Sequence, residues 1–496
     1  MIVKQHWYFL LFLVTVFYSC ETSSPGYIEK IVSHYDNQLK IGLDNYGPEK
    51  TGFWMASLDT YYKKYPDNLK RPLHIPNRVY LGRYIDAPQG AAIYWDMPSL
   101  VTAFNLTEIT GDKSYAESAE AYVRAFLNKC VAKNGVFLWG NHYYYNAFID
   151  STVRFGGKPK PVDPETEVGD LHEMRPLVPA WEVFWRIDSN ATEKQIRQSA
   201  LNHMVDITTG QFNRHADGKD QHAFLEAGGV LIYSLAWLYD KTKDESLLEL
   251  ADKMASYSFS YRNKETGLLS NDPSGGRWDA YTATTEAGLW SGCLLSASNW
   301  APDRYSKKWQ DMAHQILSIW LEYAYDEKEE RFYGMLNIND GTVIERTDDY
   351  PYKPDTYSSV WEPLFPRHDY PMSLAEACLK LYQKTGEDRY KEACYQWVKI
   401  IERELPARNG MGAYPEHYGR AIHFLLNCDQ EFKDENCKKL ARKVADEAVN
   451  ILYAHDMFRS HPGENRYDAV DGVGLLSLTL MWLETGEKPD MMGLFF

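Results

Sequence analysis

Cysteine is scarce: the chain has seven in 496 residues, none in a CxxC or similar paired spacing, which excludes a cysteine-ligated metal site. Cys130, Cys293, Cys378, Cys394, Cys428 and Cys437 read as single core thiols; a bridge between Cys428 and Cys437 is the alternative. Long apolar runs are also lacking. The stretch from Trp7 to Tyr18 is too short to span a bilayer, and nothing later resembles a span. Positive charge is in deficit, with 53 Lys and Arg against 69 Asp and Glu and a net charge of −16. That balance excludes nucleic acid or an anionic membrane surface as a bulk partner, and it obliges any acidic ligand to find a local cationic pocket.

What is present begins with an export signal. Lys4, the short apolar run and the Ser19-Cys20 pair read as a lipoprotein signal, with a plain signal peptide as the alternative. Residues 1–19 would be removed, Cys20 acylated, residues 20–26 left as a tether and 27–496 folded as one unit. The mature protein is expected on the outer membrane through its lipid anchor, facing the periplasm or the cell surface. Tyr (36) and Trp (15) are abundant, a composition that suits helix packing and also stacking on sugar rings.

A repeat runs through the helix joints. Leu106-Thr-Glu-Ile-Thr-Gly-Asp112 recurs as Leu381-Tyr-Gln-Lys-Thr-Gly-Glu387, Leu238-Tyr-Asp-Lys-Thr-Lys-Asp244 and Leu483-Glu-Thr-Gly-Glu487. In each, Gly or Lys ends a helix in the left-handed conformation, and an acidic residue starts the next near its positive N-terminus. The helix before a joint is apolar all round, as in Phe224 to Tyr239. The helix after it carries one stripe, as in Leu247, Leu250, Met254 and Tyr257.

This alternation predicts an inner and an outer ring. Inner helices fall near 96–110, 173–187, 223–240, 282–299, 370–384, 417–428 and 468–484. Outer helices fall near 113–130, 192–206, 244–260, 304–324, 387–404 and 434–454, with segments near 27–40 and 52–63 available to close the ring. The expected fold is therefore all-α, an (α/α)7 toroid with (α/α)6 as the alternative. Short β-hairpin insertions are expected at its rim near 135–145, 267–271 and 331–336.

In such a ring the segments entering the inner helices gather at one mouth, where helix N-termini favour anions. Those segments hold Arg83 and Asp86, His142, His172-Glu173-Met174-Arg175, Asn213-Arg214-His215, Arg277-Trp278-Asp279, Arg367-His368-Asp369, Glu416-His417-Tyr418-Gly419-Arg420 and Arg466-Tyr467-Asp468. Singly, an Arg beside an Asp is a surface pair or a cap. Recurring at equivalent positions, the arginines point to a carboxylate ligand, because the planar guanidinium fork binds two oxygens at once. An acidic sugar, a uronate, is thus favoured. Arg175, Asn213, Arg277, Trp278, Asp279, Arg367, Arg420 and Trp139 are the candidate substrate-binding residues.

Trp139-Gly-Asn-His142, Glu173 and Arg214-His215 resemble the site of the family 2 polysaccharide lyases, pectate lyases with an (α/α)7 barrel. The resemblance implies that His142, Glu173 and His215 hold a divalent cation (manganese, calcium or zinc) and that Arg214 is the Brønsted base. His172 competes with Glu173 as a ligand, and His172, His417 and Tyr418 compete with Arg214 as the base. The chain also looks like the helical-toroid oligosaccharide dehydratase of marine ulvan degradation and like the (α/α)-barrel β-glucuronidases of Bacteroidota.

The expected activity is β-elimination at a uronic acid of a polysaccharide-derived oligosaccharide. It would run either as a dehydratase acting on a non-reducing-end glucuronic acid or as an exo-acting lyase. A β-glucuronidase is the alternative, with its two carboxyl groups drawn from Glu173, Glu226, Asp279, Glu286 and Glu416. A glycan-binding surface lipoprotein is the third reading.

Overall fold

The computed structural model describes residues 26–66, 89–140, 142–154, 160–170, 177–216, 222–348, 350, 352–362 and 368–495. Among these residues the helices are α1 (Tyr27–Ile41), α2 (Ile93–Thr110), α3 (Ser114–Lys129), α4 (Trp181–Ile187), α5 (Ser189–His203), α6 (Leu225–Thr242), α7 (Glu245–Ser260), α8 (Glu286–Ala297), α9 (Asp303–Ala324), α10 (Pro371–Thr385), α11 (Asp388–Arg403), α12 (Pro415–Phe432), α13 (Glu435–Leu452) and α14 (Val473–Thr485).

Even-numbered helices form the inner ring. α6 packs on α8, α8 on α10, α10 on α12, α12 on α14, and α14 returns to α2. Odd-numbered helices lie outside, and α1 closes the ring by packing against α14 and α3. Helix character follows position. Leu225 to Tyr239 and the whole of α8 are buried all round. On α7 only Leu247, Leu248, Ala251, Met254, Ala255, Tyr257 and Ser258 turn inward. Seven inner and seven outer helices among the described residues make this an (α/α)7 toroid.

The joints take the conformation their residues require. Gly111, Lys243, Gly386 and Gly486 sit at φ of +76°, +58°, +69° and +76°, and each donates its N–H to the carbonyl four residues back. A fifth joint of the same kind ends α12 at Lys433. At two of these joints the acidic residue that follows caps the next helix. Asp244 accepts from the Ser246 N–H and Asp434 from the Asn436 N–H.

Three boundaries differ from expectation because the chain enters the mouth as strand; a fourth, the inner helix expected from 173, begins at Trp181, with 177–180 non-helical. Residues 52–63 are not a helix; Ser57–Asp59 is a strand paired antiparallel with Arg466–Asp468, and α14 accordingly starts at Val473 rather than 468. Likewise Thr282–Thr284 pairs with Met335–Asn337, so α8 starts at Glu286. β-Branched threonines favour that extended form. The outer helices α5, α9 and α13 run into matching two-stranded ribbons, 204–206 with 211–212, 325–326 with 331–332, and 453–454 with 457–458. Near 135–145 the strand is Tyr143–Asn146, inside a four-stranded sheet, and at 267–271 only an isolated bridge forms, between Arg262 and Leu269. Cys130, Cys293, Cys378, Cys394, Cys428 and Cys437 are all free and buried.

The end opposite the inner-helix entrances is covered by the chain after α14. There Asp490 and Asn105 of α2 bond each other, the Tyr233 hydroxyl of α6 donates to the Gly493 carbonyl, and Phe495 stacks on His423 of α12.

Candidate active site

The entrances to α6 and α8 lie side by side, because those two helices are packed neighbours. Ahead of α6 the backbone doubles back on itself around Asn213. The Asn213 side-chain amide donates to the His215 carbonyl at 2.8 Å, and its oxygen accepts the His222 N–H at 2.8 Å. The Arg214 N–H bonds the His222 carbonyl at 2.8 Å, so Arg214 and His222 lie side by side. Phe224, fully buried, lies beneath them.

Phe224 is the hub of the site. The Arg214 guanidinium lies 4.9 Å from its ring centre and that of Arg277 5.0 Å, distances at which the ring face attracts a cation. The His222 ring lies nearly parallel to it at 5.5 Å, and the His368 ring meets it edge-on at 5.2 Å. Two guanidiniums and two imidazoles therefore surround one phenyl group.

Buried carboxylates hold these groups in place. Arg277 Nε donates to Asp279 Oδ2 at 2.6 Å, and its Nη2 is in ion-pair contact with the same oxygen. Burial raises the Asp279 carboxyl above its ordinary range, against the opposing pull of His368 and Arg277. Arg466 and Asp468 repeat this pairing two residues apart before α14, at 3.0 Å. His222 Nδ1 lies 2.5 Å from Asp272 Oδ2, and His368 Nδ1 lies 2.7 Å from Glu286 Oε2. The second oxygen of Glu286 accepts the Glu226 N–H at 2.8 Å, and the Tyr370 hydroxyl donates to Glu226 Oε2 at 2.5 Å. Asp369 is enclosed by Thr285, Ser358 and the Ser359 N–H, which makes it a brace between the entrances of α8 and α10.

The sequence-derived candidates divide accordingly. Arg214 and Arg277 meet at Phe224, with Trp278 beside His368 at 5.6 Å. Asp279 and Asn213 are buried and bonded within the protein, so they set the positions of Arg277 and of His215 and His222 rather than facing a ligand. Trp139 is a correction. It is 1% exposed and packs among Tyr94, Phe126, Phe137, Trp181 and Phe184, a core ring with no face left for a sugar.

Tyr418 is a second correction. Its hydroxyl donates to Glu447 of the outer helix α13 and accepts the Ala413 N–H, while burial drives its pKa upward. His417 is buried at the start of α12 beside Tyr414, and Arg420 pairs with Glu416 and lies over Phe495, on the side of the tail. His172, Glu173, Arg175, Arg367 and Cys20 lie outside the described residues, as do Arg83 and Asp86.

His142 and His215 come together, their ring centres 5.2 Å apart at a 77° angle. Two imidazoles so placed fit a shared divalent ion at about 2.1 Å from each ligating nitrogen. Among the described residues no group of three or more His, Cys, Asp or Glu is arranged to hold a metal, and Glu173 is not among those residues.

Residue pattern alone did not single out His222, Asp272, Phe224 or Tyr370. His222 and Asp272 are 50 positions apart, and neither belongs to a motif with Arg. The one local signal is that His222 stands two residues before Phe224, at the start of the apolar helix.

A family model described as periplasmic pectate lyase matches residues 100–223. Among solved structures, the α-1,6-mannanase of Salegentibacter sp. HEL1_6 is 11% identical, covering 92% of this chain and 99% of that one, with a TM-score of 0.43. The cellobiose 2-epimerase of Bacillus thermoamylovorans is 10% identical over 92% of this chain and 98% of that one, TM-score 0.47. An unsaturated glucuronyl hydrolase specific for heparin is 12% identical over 80% and 99%, TM-score 0.47. Over residues 100–223, which include His142, Arg214 and His215, the chain is thus similar to the periplasmic pectate lyases.

Proposed function

We propose that this protein is a carbohydrate-active enzyme that performs β-elimination at a uronic-acid residue of an oligosaccharide. The observation that carries the proposal is the convergence of Arg214 and Arg277 on Phe224, beside two imidazole–carboxylate pairs. The match to periplasmic pectate lyases over the segment containing Arg214 supports the same class of reaction.

Elimination at a uronate removes the proton at C5 and expels the oxygen at C4. That proton is weakly acidic, so the charge that grows on the carboxylate must be met by fixed cations. A guanidinium has five N–H donors; Asp279 engages one edge of Arg277 and leaves others for a ligand. His142 and His215 would hold a divalent cation, which when bound would further neutralise the carboxylate.

If the C4 substituent is a hydroxyl the enzyme is a dehydratase, and if it is a sugar it is a lyase. The hydrolase alternative draws less support. Of the carboxyl groups available to it, Asp279, Glu226, Glu286 and Glu416 are engaged by Arg277, Tyr370, His368 and Arg420. Export as a Cys20-anchored lipoprotein belongs to the same proposal. No helix among the described residues is long and apolar enough to cross a membrane.

The test is incubation with uronate-ended oligosaccharides, followed by ultraviolet absorbance and mass. A new conjugated chromophore with loss of one water marks a dehydratase, and a cut chain carrying the chromophore marks a lyase. A cut chain without it would overturn elimination in favour of hydrolysis.

A further inference from the structure

The resemblance in sequence assigns the base to Arg214, yet the structure sets a better-equipped group directly opposite. We infer that His222, oriented by Asp272, is the catalytic base of this site and returns the proton to the departing oxygen. This rests on the elimination reading above.

The geometry is that of an oriented imidazole. Nδ1 bonds Asp272 Oδ2 at 2.5 Å; Asp272 is fully buried, and its other oxygen accepts the Ala223 N–H at 3.0 Å. That bond fixes the ring and its tautomer, leaving Nε2 as the nitrogen that accepts a proton. The side chain is 16% exposed, whereas that of His368, the other carboxylate-held imidazole, is 4% exposed. His222 is thus the more accessible of the two imidazoles.

The place of the ring matters as much as its orientation. The His222 ring lies on Phe224, the same ring that carries Arg214 and Arg277, so a carboxylate held by the guanidiniums brings its neighbouring carbon beside Nε2. One loop supplies both functions, since residues 272–279 carry Asp272 at one end and the Arg277–Asp279 pair at the other, joined by the Asp272 N–H to the Asp279 carbonyl. Gly275 lets this loop close over the pair. A Cβ there would come 1.8 Å from Asp272 Oδ2 and 2.6 Å from His222 Nδ1.

In the step, the C5–H bond breaks and its proton passes to Nε2. The electron pair left on C5 forms the C4=C5 double bond as the C4–O bond breaks. The imidazolium, stabilised by Asp272, then gives its proton to the leaving oxygen, releasing water or an alcohol and restoring the enzyme. Arg214, Arg277 and His368 also face the phenyl ring, and the two guanidiniums oppose accumulation of the imidazolium, favouring rapid return of the proton.

The experiment compares the full-length protein with His222→Gln and Asp272→Asn on a uronate-terminated disaccharide, with circular dichroism to verify folding. His222→Gln is expected to lower kcat by about 10²- to 10⁴-fold with KM little changed. Asp272→Asn, nearly isosteric, is expected to lower kcat less. It should also move the acid limb of the pH profile to lower pH, because the imidazolium loses its counter-charge, a shift that a packing defect would not produce. Should the Gln variant fail to fold, the Asp272→Asn profile decides alone. Wild-type turnover to an unsaturated product with kcat retained within about threefold in His222→Gln, against the loss expected of a general base, or an unmoved acid limb in Asp272→Asn, overturns the inference while leaving elimination intact. Absence of any unsaturated product from the wild type overturns the reading beneath it.

Discussion

Phe224 shows how one buried ring can organise charges that would otherwise repel. Arg214 and Arg277 both lie over its ring, and each is fixed from behind, Arg277 by Asp279 and Arg214 through its backbone bond to His222. Arg277→Ala is therefore expected to reduce kcat/KM by about 10- to 100-fold, the worth of one charge-assisted hydrogen bond to a ligand, as read from initial rates. Tyr418→Phe is expected to leave rates unchanged and to lower stability by about 1 kcal/mol for the lost bond to Glu447, as read by urea unfolding. At this scale the arginines were legible because they recur before the inner helices. The His222–Asp272 pair was not, because its two members are distant in sequence and are joined only when α6 and α8 pack together. Trp139 misled because composition cannot distinguish a sugar-stacking ring from a core ring.

The helical joints carry the clearest link from sequence to structure. A left-handed residue followed by an acidic one ends the helix at every joint marked by that pattern, where it was expected. A Cβ at Gly386 would meet nothing within 4 Å, so Gly386→Ala should cost only the backbone strain, about 1 kcal/mol. Lys243 already bears that strain at φ +58°. Lys243→Gly should relieve it and gain about 0.5 to 1 kcal/mol, with its exposed pair to Asp240 a minor loss. Chemical denaturation measures both. The segment 52–63 defeated periodicity because Phe53, Trp54, Met55 and Leu58 are all buried, and short runs buried on both faces do not distinguish strand from helix. The strands entering α8 and α14 escaped notice for a related reason: they depend on partners some 50 or 400 positions away.

For the molecule as a whole, closure of the ring rests on α1, and one of its buried side chains makes that closure sensitive to acid. His34 is 1% exposed, its Nδ1 accepts the Phe458 N–H at 3.2 Å, and burial, aided by Lys63, lowers its pKa from 6.5 to about 3. Because the folded value is depressed, this contribution to stability is full above pH 6.5 and is lost as pH falls from there toward 3. Asp96, also buried and pushed up to about 7, adds stability over the same range as pH falls, so the effect of His34 is read as a difference: by urea unfolding, the wild type should lose a few kcal/mol relative to His34→Asn between pH 7 and 4.

The proposed function requires a cationic mouth that selects a sugar carboxylate. Calorimetric binding of a disaccharide ended by 4-deoxyglucuronate, which has no leaving group at C4, tests this directly against the same disaccharide with a hydroxymethyl group in place of the carboxylate. The uronate is expected to bind about 10- to 100-fold more tightly, with that advantage lost in Arg277→Ala. Equal affinity for the two sugars would contradict a mouth built for a carboxylate.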